Sequence, residues 1–290
     1  MSQKDTEKSE ELERLLFGIR PRLHRFCARM LGSAIDGEDV AQEAALKALE
    51  AFPHQSEIHN LEAWIFRIAR NTALDFLRRR SRERTVPVDD DADFVDPYMD
   101  TDRGLQAAES LRQFMRLPPL QRASVILMDV IGYSISEVAD ILETTIPAVK
   151  ASLHRGRERL QRLAAEPAPA PLEKLPDAEM KLLGQYVERF NARDFDALRA
   201  LLADDVRLHV KSERRVGAPV RDYYSRYASI FDIRLVPGII EGQPVALAYR
   251  NDVLSYFIAF DWRDEHVVKI LDFRYAPYVL ESVTAAPLAA

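Results

Sequence analysis

The chain has 290 residues, of which 47% are hydrophobic, 9% aromatic and 30% charged, with a formal net charge of −6. At roughly 150 residues per domain this length fits about two domains, and the apolar content can bury large cores without disulfides or metals. The single cysteine, Cys27, excludes a disulfide framework, a Cys-rich zinc site and an iron–sulfur cluster, and no stretch offers the roughly 18 uninterrupted apolar residues of a membrane span.

The opening segment MSQKDTEKSEELER has no apolar run, so the sequence predicts no secretory leader and an intracellular, cytoplasmic protein. Residues 11–51 read as helical with a break near Gly32–Gly37: Leu12, Leu15, Leu16, Ile19, Leu23 and Phe26 recur at helical spacing, as do Val40, Ala44, Ala45 and Leu49. Asp36 is the expected N-cap of the second helix, with Glu38 and Asp39 in its first turn. Phe52–Asn60, polar and carrying Pro53, reads as a loop, and a further helix is predicted from about Leu61 to Arg82. Residues 85–104, with two prolines, a glycine and seven aspartates, read as an acidic linker. Helices return from Leu105 and are divided by Leu117-Pro118-Pro119-Leu120. A short helix over Glu137–Leu142 and a longer one over Ile146–Leu163, capped by Thr144-Thr145, close this half. Residues 166–177 read as a Pro/Ala linker. Beyond it helices are expected over Ala178–Asn191 and Phe195–Leu202. Strand-like runs then appear at 205–211, 233–240, 244–249, 252–260 and 266–275. The first half is thus all-α and the last third α+β.

Charge is segregated along the chain. Arg67, Arg70, Arg78, Arg79, Arg80, Arg82 and Arg84 cluster before the acidic stretch, and Lys150, Arg155, Arg157, Arg159 and Arg162 cluster after it. On the helix LEAWIFRIARNTALDFLRRRSR, Trp64, Ile65, Ile68, Ala69, Thr72, Ala73 and Phe76 form an apolar stripe. Arg67, Arg70, Asn71, Leu74 and Arg78 form another. Guanidinium groups match phosphate oxygens and Asn reads a base edge, so this second stripe suits a nucleic-acid backbone. The segment from Tyr133 to Arg155 has the pattern of a helix–turn–helix: Val138, Ala139, Ile141 and Leu142 face Ile146, Val149 and Leu153. Projection of the second helix puts Ala148, Ala151, Ser152, His154, Arg155 and Arg159 on the outward face, with Lys150 and Arg157 at its margins. Such a helix enters the major groove while flanking cations hold phosphates.

Three motifs carry a family resemblance: Asp36-Gly37-Glu38-Asp39-Val40-Ala41-Gln42-Glu43; Ala63-Trp64-Ile65-Phe66-Arg67-Ile68-Ala69-Arg70-Asn71 running on to Asp75-Phe76-Leu77-Arg78-Arg79-Arg80; and the helix–turn–helix ending Val149-Lys150, Leu153-His154-Arg155-Gly156-Arg157. In order and spacing, residues 11–163 resemble the extracytoplasmic-function sigma factors of bacterial RNA polymerase. The resemblance implies a first all-α domain at 10–84 whose Asp36, Asp39, Gln42 and Glu43 dock on the beta-prime clamp of the polymerase core. Within it, Trp64, Arg67, Arg70, Asn71, Asp75, Arg78 and Arg79 recognise and melt the minus-ten element, helped by the Phe52–Asn60 loop. Melting needs a pocket for a flipped base and cations for the single strand. The second domain, 105–165, would contact the beta flap and read the minus-thirty-five element with Ala148, Lys150, Ala151, Ser152, His154, Arg155, Arg157 and Arg159. The linker at 85–104 would run through the RNA-exit region. Two positions depart from the family pattern: Glu143 stands where the turn usually has glycine, and Ala151-Ser152 stands where Ser-Arg is common.

Residues 178–281 resemble the SnoaL-like domains, cone-shaped α+β folds in which helices close over a curved sheet. The resemblance rests on Leu183, Tyr186–Leu198, Leu202–Leu208, Glu241–Ala246 and Ile270–Arg274. Some relatives are enzymes, and the candidates for such chemistry here are His209, Asp261, Asp272 and Arg274, with Tyr223, Tyr224 and Tyr256. No pair has a spacing diagnostic of acid/base work, so a regulatory role with a small pocket ligand is expected rather than catalysis. No cofactor, metal or membrane partner is expected. Two other readings stay open at this stage: a ligand-sensing helix–turn–helix regulator that acts without polymerase, and a SnoaL-like enzyme carrying a DNA-binding module.

Overall fold

The computed structural model describes residues 3–55, 58–83, 109–165, 177–210, 213–216, 220, 222–227, 230–283 and 285–288. The chain divides into two compact units, Met1–Ala170 and Pro171–Ala290. The linkers expected at 85–104 and 166–177 lie outside the described residues, apart from Asp177.

The first unit is helical. It comprises α1 (Gln3–Leu31), α2 (Ala34–Ala51), a 3-10 turn (Phe52–His54), α3 (Leu61–Glu83), α4 (Glu109–Met115), α5 (Pro119–Val125), a π-helical segment (Ile126–Ile131), α6 (Ile135–Leu142) and α7 (Ile146–Ala164). The break between α1 and α2 is Gly32, at φ 73°, followed by Ser33. Ser33, not Asp36, is the N-cap of α2. Its backbone is extended and its hydroxyl accepts the Asp36 N–H at 3.1 Å, which moves the helix start three residues upstream of the expected place. The two helices cross closely at Gly37, where a Cβ would lie 2.6 Å from the Ala28 backbone. Beside the crossing, buried Glu38 receives Arg20 at 2.7 Å. The buried His24 ring lies 3.0 Å from the Ala34 carbonyl, and burial pushes its pKa down, so the ring is neutral.

A single hydrophobic core runs through all of these helices. Phe26 of α1 meets Phe66 of α3 edge to face at 5.6 Å, and Phe66 meets Tyr133, just before α6, at 5.2 Å. Arg122 of α5 is fully buried and donates to the carbonyls of Met30, Met115 and Leu117 at 2.7–2.9 Å. Those carbonyls lie at the C-terminal ends of α1 and α4, where free lone pairs and the helix dipoles favour a cation. The segments predicted as two separate helical domains thus share one interior.

The second unit is α+β. α8 (Asp177–Asn191) and α9 (Phe195–Ala200) precede β1 (Leu202–Val210), β2 (Glu213–Val216), a short helix (Tyr223–Tyr227), β3 (Ile233–Ile240), β4 (Gln243–Arg250), β5 (Val253–Arg263), β6 (His266–Asp272) and, after a 3-10 turn and the helix Pro277–Leu280, β7 (Ala285–Pro287). The strand order is β2-β1-β6-β5-β4-β3-β7, with β1 and β6 parallel and every other pair antiparallel. Three two-residue turns, Glu241-Gly242, Asn251-Asp252 and Asp264-Glu265, have positive φ at both residues. This is the type I′ geometry whose twist matches a hairpin, and it sets the registers Ile240↔Gln243, Arg250↔Val253 and Arg263↔His266. β2 and β7 were not predicted; both are short and lie at the sheet edges, where pairing rather than apolar pattern defines a strand. Tyr186, Val187 and Phe190 of α8 pack on the face that carries Leu235, Ala246, Tyr256 and Ile258.

Replacement of Gly37 by Ala forces a methyl group against the Ala28 backbone, so Gly37→Ala should destabilise the helical unit by about 1–3 kcal/mol. The check is the urea midpoint followed by circular dichroism; an unchanged midpoint would show that α1 and α2 do not cross here.

Candidate nucleic-acid interface

The helix–turn–helix is built from local signals. Ser134 forms a capping box with Glu137: its hydroxyl accepts the Glu137 N–H at 3.3 Å and the Glu137 carboxylate accepts the Ser134 N–H at 2.8 Å. The Ser134 hydroxyl also donates to the Glu137 carboxylate at 2.6 Å, and this bond together with the Ser134 N–H holds the Glu137 carboxyl below its ordinary range. The turn runs through Glu143 at φ 52°, a left-handed conformation that favours glycine, and Thr144 N–H closes it onto the Ala139 carbonyl at 3.0 Å. Thr145 then caps α7, accepting from Ala148 N–H, with Pro147 in the first turn.

α7 buries Val149, Ser152, Leu153, Gly156 and Leu163. Ser152 therefore leaves the predicted outward set: positions 149, 152, 153 and 156 follow the 3.6-residue period onto the inner face, where Ser152 is 1% exposed. Gly156 is required by packing, because a Cβ would come within 2.8 Å of Val125. Ala148, Ala151 and Arg159 are half-buried, and Lys150, His154, Arg155 and Arg157 are exposed. Lys150, Arg155 and Arg159 have no ion-pair partner among the described residues. Arg157 grips Asp129 with two bonds of 2.9 and 2.6 Å, which raises its pKa, and His154 lies 3.7 Å from Glu158.

α3 buries Ala63, Ile65, Phe66, Ala69, Thr72, Ala73 and Leu77. Phe66 and Leu77 thus join the buried face, and Trp64 and Phe76 lie only half in it. The Trp64 ring sits 6.2 Å from Phe52 at the start of the connecting loop. Opposite the core, Asn71, Asp75, Arg78 and Arg79 are exposed. Arg70 donates to Asn71 at 3.3 Å, and Arg78 pairs with Asp75 at 3.4 Å. Arg67 behaves differently: it donates to the Asp140 carbonyl at 3.0 Å and pairs with Glu143 at 3.1 Å, both at the turn of the helix–turn–helix.

The acidic face of α2 is also engaged. Asp36 pairs with Arg80 at 3.1 Å; Glu43 pairs with Lys47 at 2.9 Å and with Arg79 at 3.5 Å; Gln42 donates to Glu38 at 3.0 Å. Asp39 is half-buried on the same helix. The two predicted surfaces, acidic on α2 and basic on α3, therefore interlock along one edge. Sequence reading missed Asp129, Glu62 and Tyr133 as partners. Glu62 joins Arg22 at 2.6 Å and Tyr133 at 2.5 Å, contacts 40 and 71 residues apart in sequence.

In the second unit the structure gathers Asp272, Arg274, Tyr223 and Tyr256 around Tyr227, which was not predicted. Asp272 Oδ2 accepts from Tyr223 at 2.6 Å, Tyr227 at 3.0 Å and Arg274 at 3.0 Å, and Oδ1 accepts the Arg274 N–H at 2.9 Å. Tyr227 also meets Tyr223 and Tyr256, each at 3.1 Å, and the Arg274 guanidinium lies 4.2 Å from the Tyr227 ring centre. A neighbouring pair joins Tyr224 to Tyr186 at 3.1 Å. Helical spacing could have identified Tyr227, one turn after Tyr223. Asp261 is exposed on β5 and His209 is half-buried on β1. Among the described residues no group of three or more His, Cys, Asp or Glu could hold a metal ion, and no helix is long and apolar enough to cross a membrane.

Comparison with known families matches residues 18–83 to sigma-70 region 2, residues 111–160 to sigma-70 region 4, and residues 183–269 to a SnoaL-like domain. ECF RNA polymerase sigma factor SigG of Mycobacterium tuberculosis is 30% identical over 302 residues, spanning 89% of this chain and 80% of that protein. ECF RNA polymerase sigma factor SigJ of the same species is 27% identical over 248 residues, spanning 79% and 76%. Among solved structures, sigma factor RpoE in complex with the anti-sigma factor NepR from Bartonella quintana is 26% identical, covers 55% of this chain and 99% of its own, and has a TM-score of 0.42.

The tyrosine cluster predicts a pH dependence. Burial first, and then the Asp272 charge, raises Tyr223, Tyr227 and Tyr256 above the ordinary value, Tyr256 to about 12. The unfolded chain releases these protons near pH 10, so the stability they confer is complete below about pH 10 and is lost as pH rises through about 12. Tyrosinate absorbance from the buried set should appear together with loss of β-sheet circular dichroism. Ionisation of all ten tyrosines near pH 10 with the dichroism intact would refute the cluster.

Proposed function

The chain belongs to the ECF RNA polymerase sigma factors, and from that premise we propose how its residues divide the work of initiation. Residues 10–84 bind core polymerase and open the minus-ten element; residues 105–165 read the minus-thirty-five element; residues 178–281 modulate the first two, with 85–104 and 166–177 as linkers. The protein acts in the cytoplasm, where its polymerase and promoter DNA are.

The observation that carries this reading is the capped helix–turn–helix whose second helix buries one face on α5 and turns Lys150, Arg155 and Arg159 outward without a partner among the described residues. A partly desolvated basic face of this kind matches DNA phosphates and base edges. We assign minus-thirty-five contact to Ala148, Lys150, Ala151, His154, Arg155 and Arg159, and treat Arg157 as a phosphate contact only once it leaves Asp129. We assign minus-ten contact to Trp64, Arg67, Arg70, Asn71, Asp75, Arg78 and Arg79. The polymerase clamp takes Asp36, Asp39, Gln42 and Glu43, its basic groups replacing Arg80 and Arg79 as partners of Asp36 and Glu43. The match of residues 18–83 to sigma-70 region 2 supports this reading over a stand-alone helix–turn–helix regulator, which has no use for the α2 surface.

The C-terminal domain is read as regulatory rather than enzymatic. Asp272 is the one candidate carboxylate inside the domain, and its Oδ2 already accepts three hydrogen bonds. A general base needs a free lone pair aimed at substrate. A small ligand in this domain would modulate the sigma function by exchanging with those tyrosine contacts.

Transcription in vitro with bacterial core polymerase tests the assignment, with the full chain compared against a truncation after Ala165. The full chain should start transcripts at defined promoters, and the truncation should change the yield. Arg155→Ala should weaken binding at the upstream element roughly tenfold, in line with the loss of one base or phosphate contact. Failure of both forms to bind core polymerase or start a transcript would overturn the reading.

A further inference from the structure

A recognition helix leads into the major groove with its N-terminal end, and the leading end of α7 is not built to hold phosphate. Of its first four residues, Pro147 has no N–H to offer. The N–H groups of Ala148 and Val149 are already taken, by the Thr145 hydroxyl at 3.3 Å and the Thr145 carbonyl at 3.0 Å. From Thr144 to Val149 no side chain carries a charge or an amide, and the first cation is Lys150, one turn into the helix.

Ile146 stands at the first of these positions. The apolar pattern predicts it on the inner face with Val149 and Leu153, yet it is 42% exposed and lies outside the hydrophobic core of the helical unit. Its neighbour Pro147 is exposed as well. Cα–Cβ bonds in a helix tilt toward the N-terminus, so these side chains lean toward the leading end of α7. Lys150 and His154 follow Ile146 at one-turn intervals and are exposed, which places an apolar tip ahead of a polar and basic stripe. Ile146 is β-branched and keeps one preferred rotamer in a helix, so a contact made by it costs little side-chain freedom. Its exposed surface gains from meeting another apolar group. In the major groove the apolar group on a base edge is the C5-methyl of thymine.

Resting on the sigma-factor reading above, we propose that Ile146, backed by Pro147, reads one thymine of the minus-thirty-five element through its C5-methyl group. The contact selects thymine over cytosine, whose edge presents an amino group and no methyl. Lys150 and Arg155, further along the outward face, supply the charged contacts. The two kinds of contact differ in their response to salt: phosphate neutralisation weakens as salt rises, whereas burial of a methyl group does not.

The test uses the full chain with bacterial core polymerase and DNA duplexes carrying a randomised upstream element. Selection of the bound duplexes defines the element, and each thymine in it is then replaced singly by deoxyuridine, which lacks only the methyl group. At one position the replacement should weaken binding about three- to fivefold, the effect of exposing one methyl group. The ratio of thymine to uracil affinity there should stay the same at low and high salt while both affinities fall. Ile146→Ala should bind the thymine element as weakly as the unsubstituted chain binds the uracil one, and should not distinguish the two. Ile146→Val, which keeps the branched Cβ, should retain a reduced preference. Circular dichroism checks that both variants keep their helices, as expected for an exposed position. An element with no thymine that responds to the replacement would overturn the inference and leave the sigma reading in place, as would a uracil effect that persists in Ile146→Ala. Recovery of no preferred element by the polymerase-bound chain would overturn both.

Discussion

The helical unit depends on one seam, where Phe66 of α3 packs between Phe26 of α1 and Tyr133 ahead of α6. α6 and the π-helical segment before it are too short to bury their apolar faces against α7 alone. They complete their interior on α1 and α3, and the hydrophobic effect acts on total apolar area regardless of chain order. Arg122 reinforces the seam, because it closes the carbonyl ends of α1 and α4 at once. A buried cation with acceptors on both sides ties two segments more specifically than apolar contact, since removing either side leaves it unsatisfied.

That shared interior explains how the basic groups divide. Cations on the rim of the seam find intramolecular acceptors: Arg67 at Glu143, Arg157 at Asp129, Arg79 and Arg80 on α2. Those on the outer face of α7, Lys150, Arg155 and Arg159, are left without a described partner. The net charge of −6 conceals this arrangement, because much of the acidic charge serves to neutralise cations within the fold. Exposed ion pairs of this kind are worth about 0.2–1 kcal/mol each, so polyanionic DNA or a charged protein surface can displace them.

The C-terminal unit is organised by turns and by one carboxylate. Three I′ turns set the pairing at the hairpin ends of four consecutive strands, register shifts at Ala248/Tyr249 and Asp261/Trp262 adjust it further along, and together they bring Tyr256 of β5 and Asp272 of β6 beneath the short helix that carries Tyr223 and Tyr227. A carboxylate taken out of water requires several donors, and three tyrosine and arginine groups supply them. The carboxylate is thus surrounded by the protein's own hydroxyls and one guanidinium.

Amphipathic period, capping residues and charge blocks were enough to reveal the helices, the helix–turn–helix, the central strands and the family, since each of those signals acts within a few residues of itself. Ser33 capped α2 in place of Asp36 because either side chain could supply the acceptor, and only the backbone angle at the break selected one. The helical projection draws the outward face one position too wide and includes Ser152, which lies on the buried face with Val149, Leu153 and Gly156. Glu143 in a glycine position was visible from the start, but not what it holds. The tertiary structure alone decided that the two helical segments share a core, that Arg67 closes on the turn of the second segment, and that Asp272 gathers Tyr223 and Tyr227 of the short helix, with Tyr256 of β5 behind them. Those are contacts between residues far apart in sequence, and their free energy comes from burying groups against one another, which no local pattern encodes.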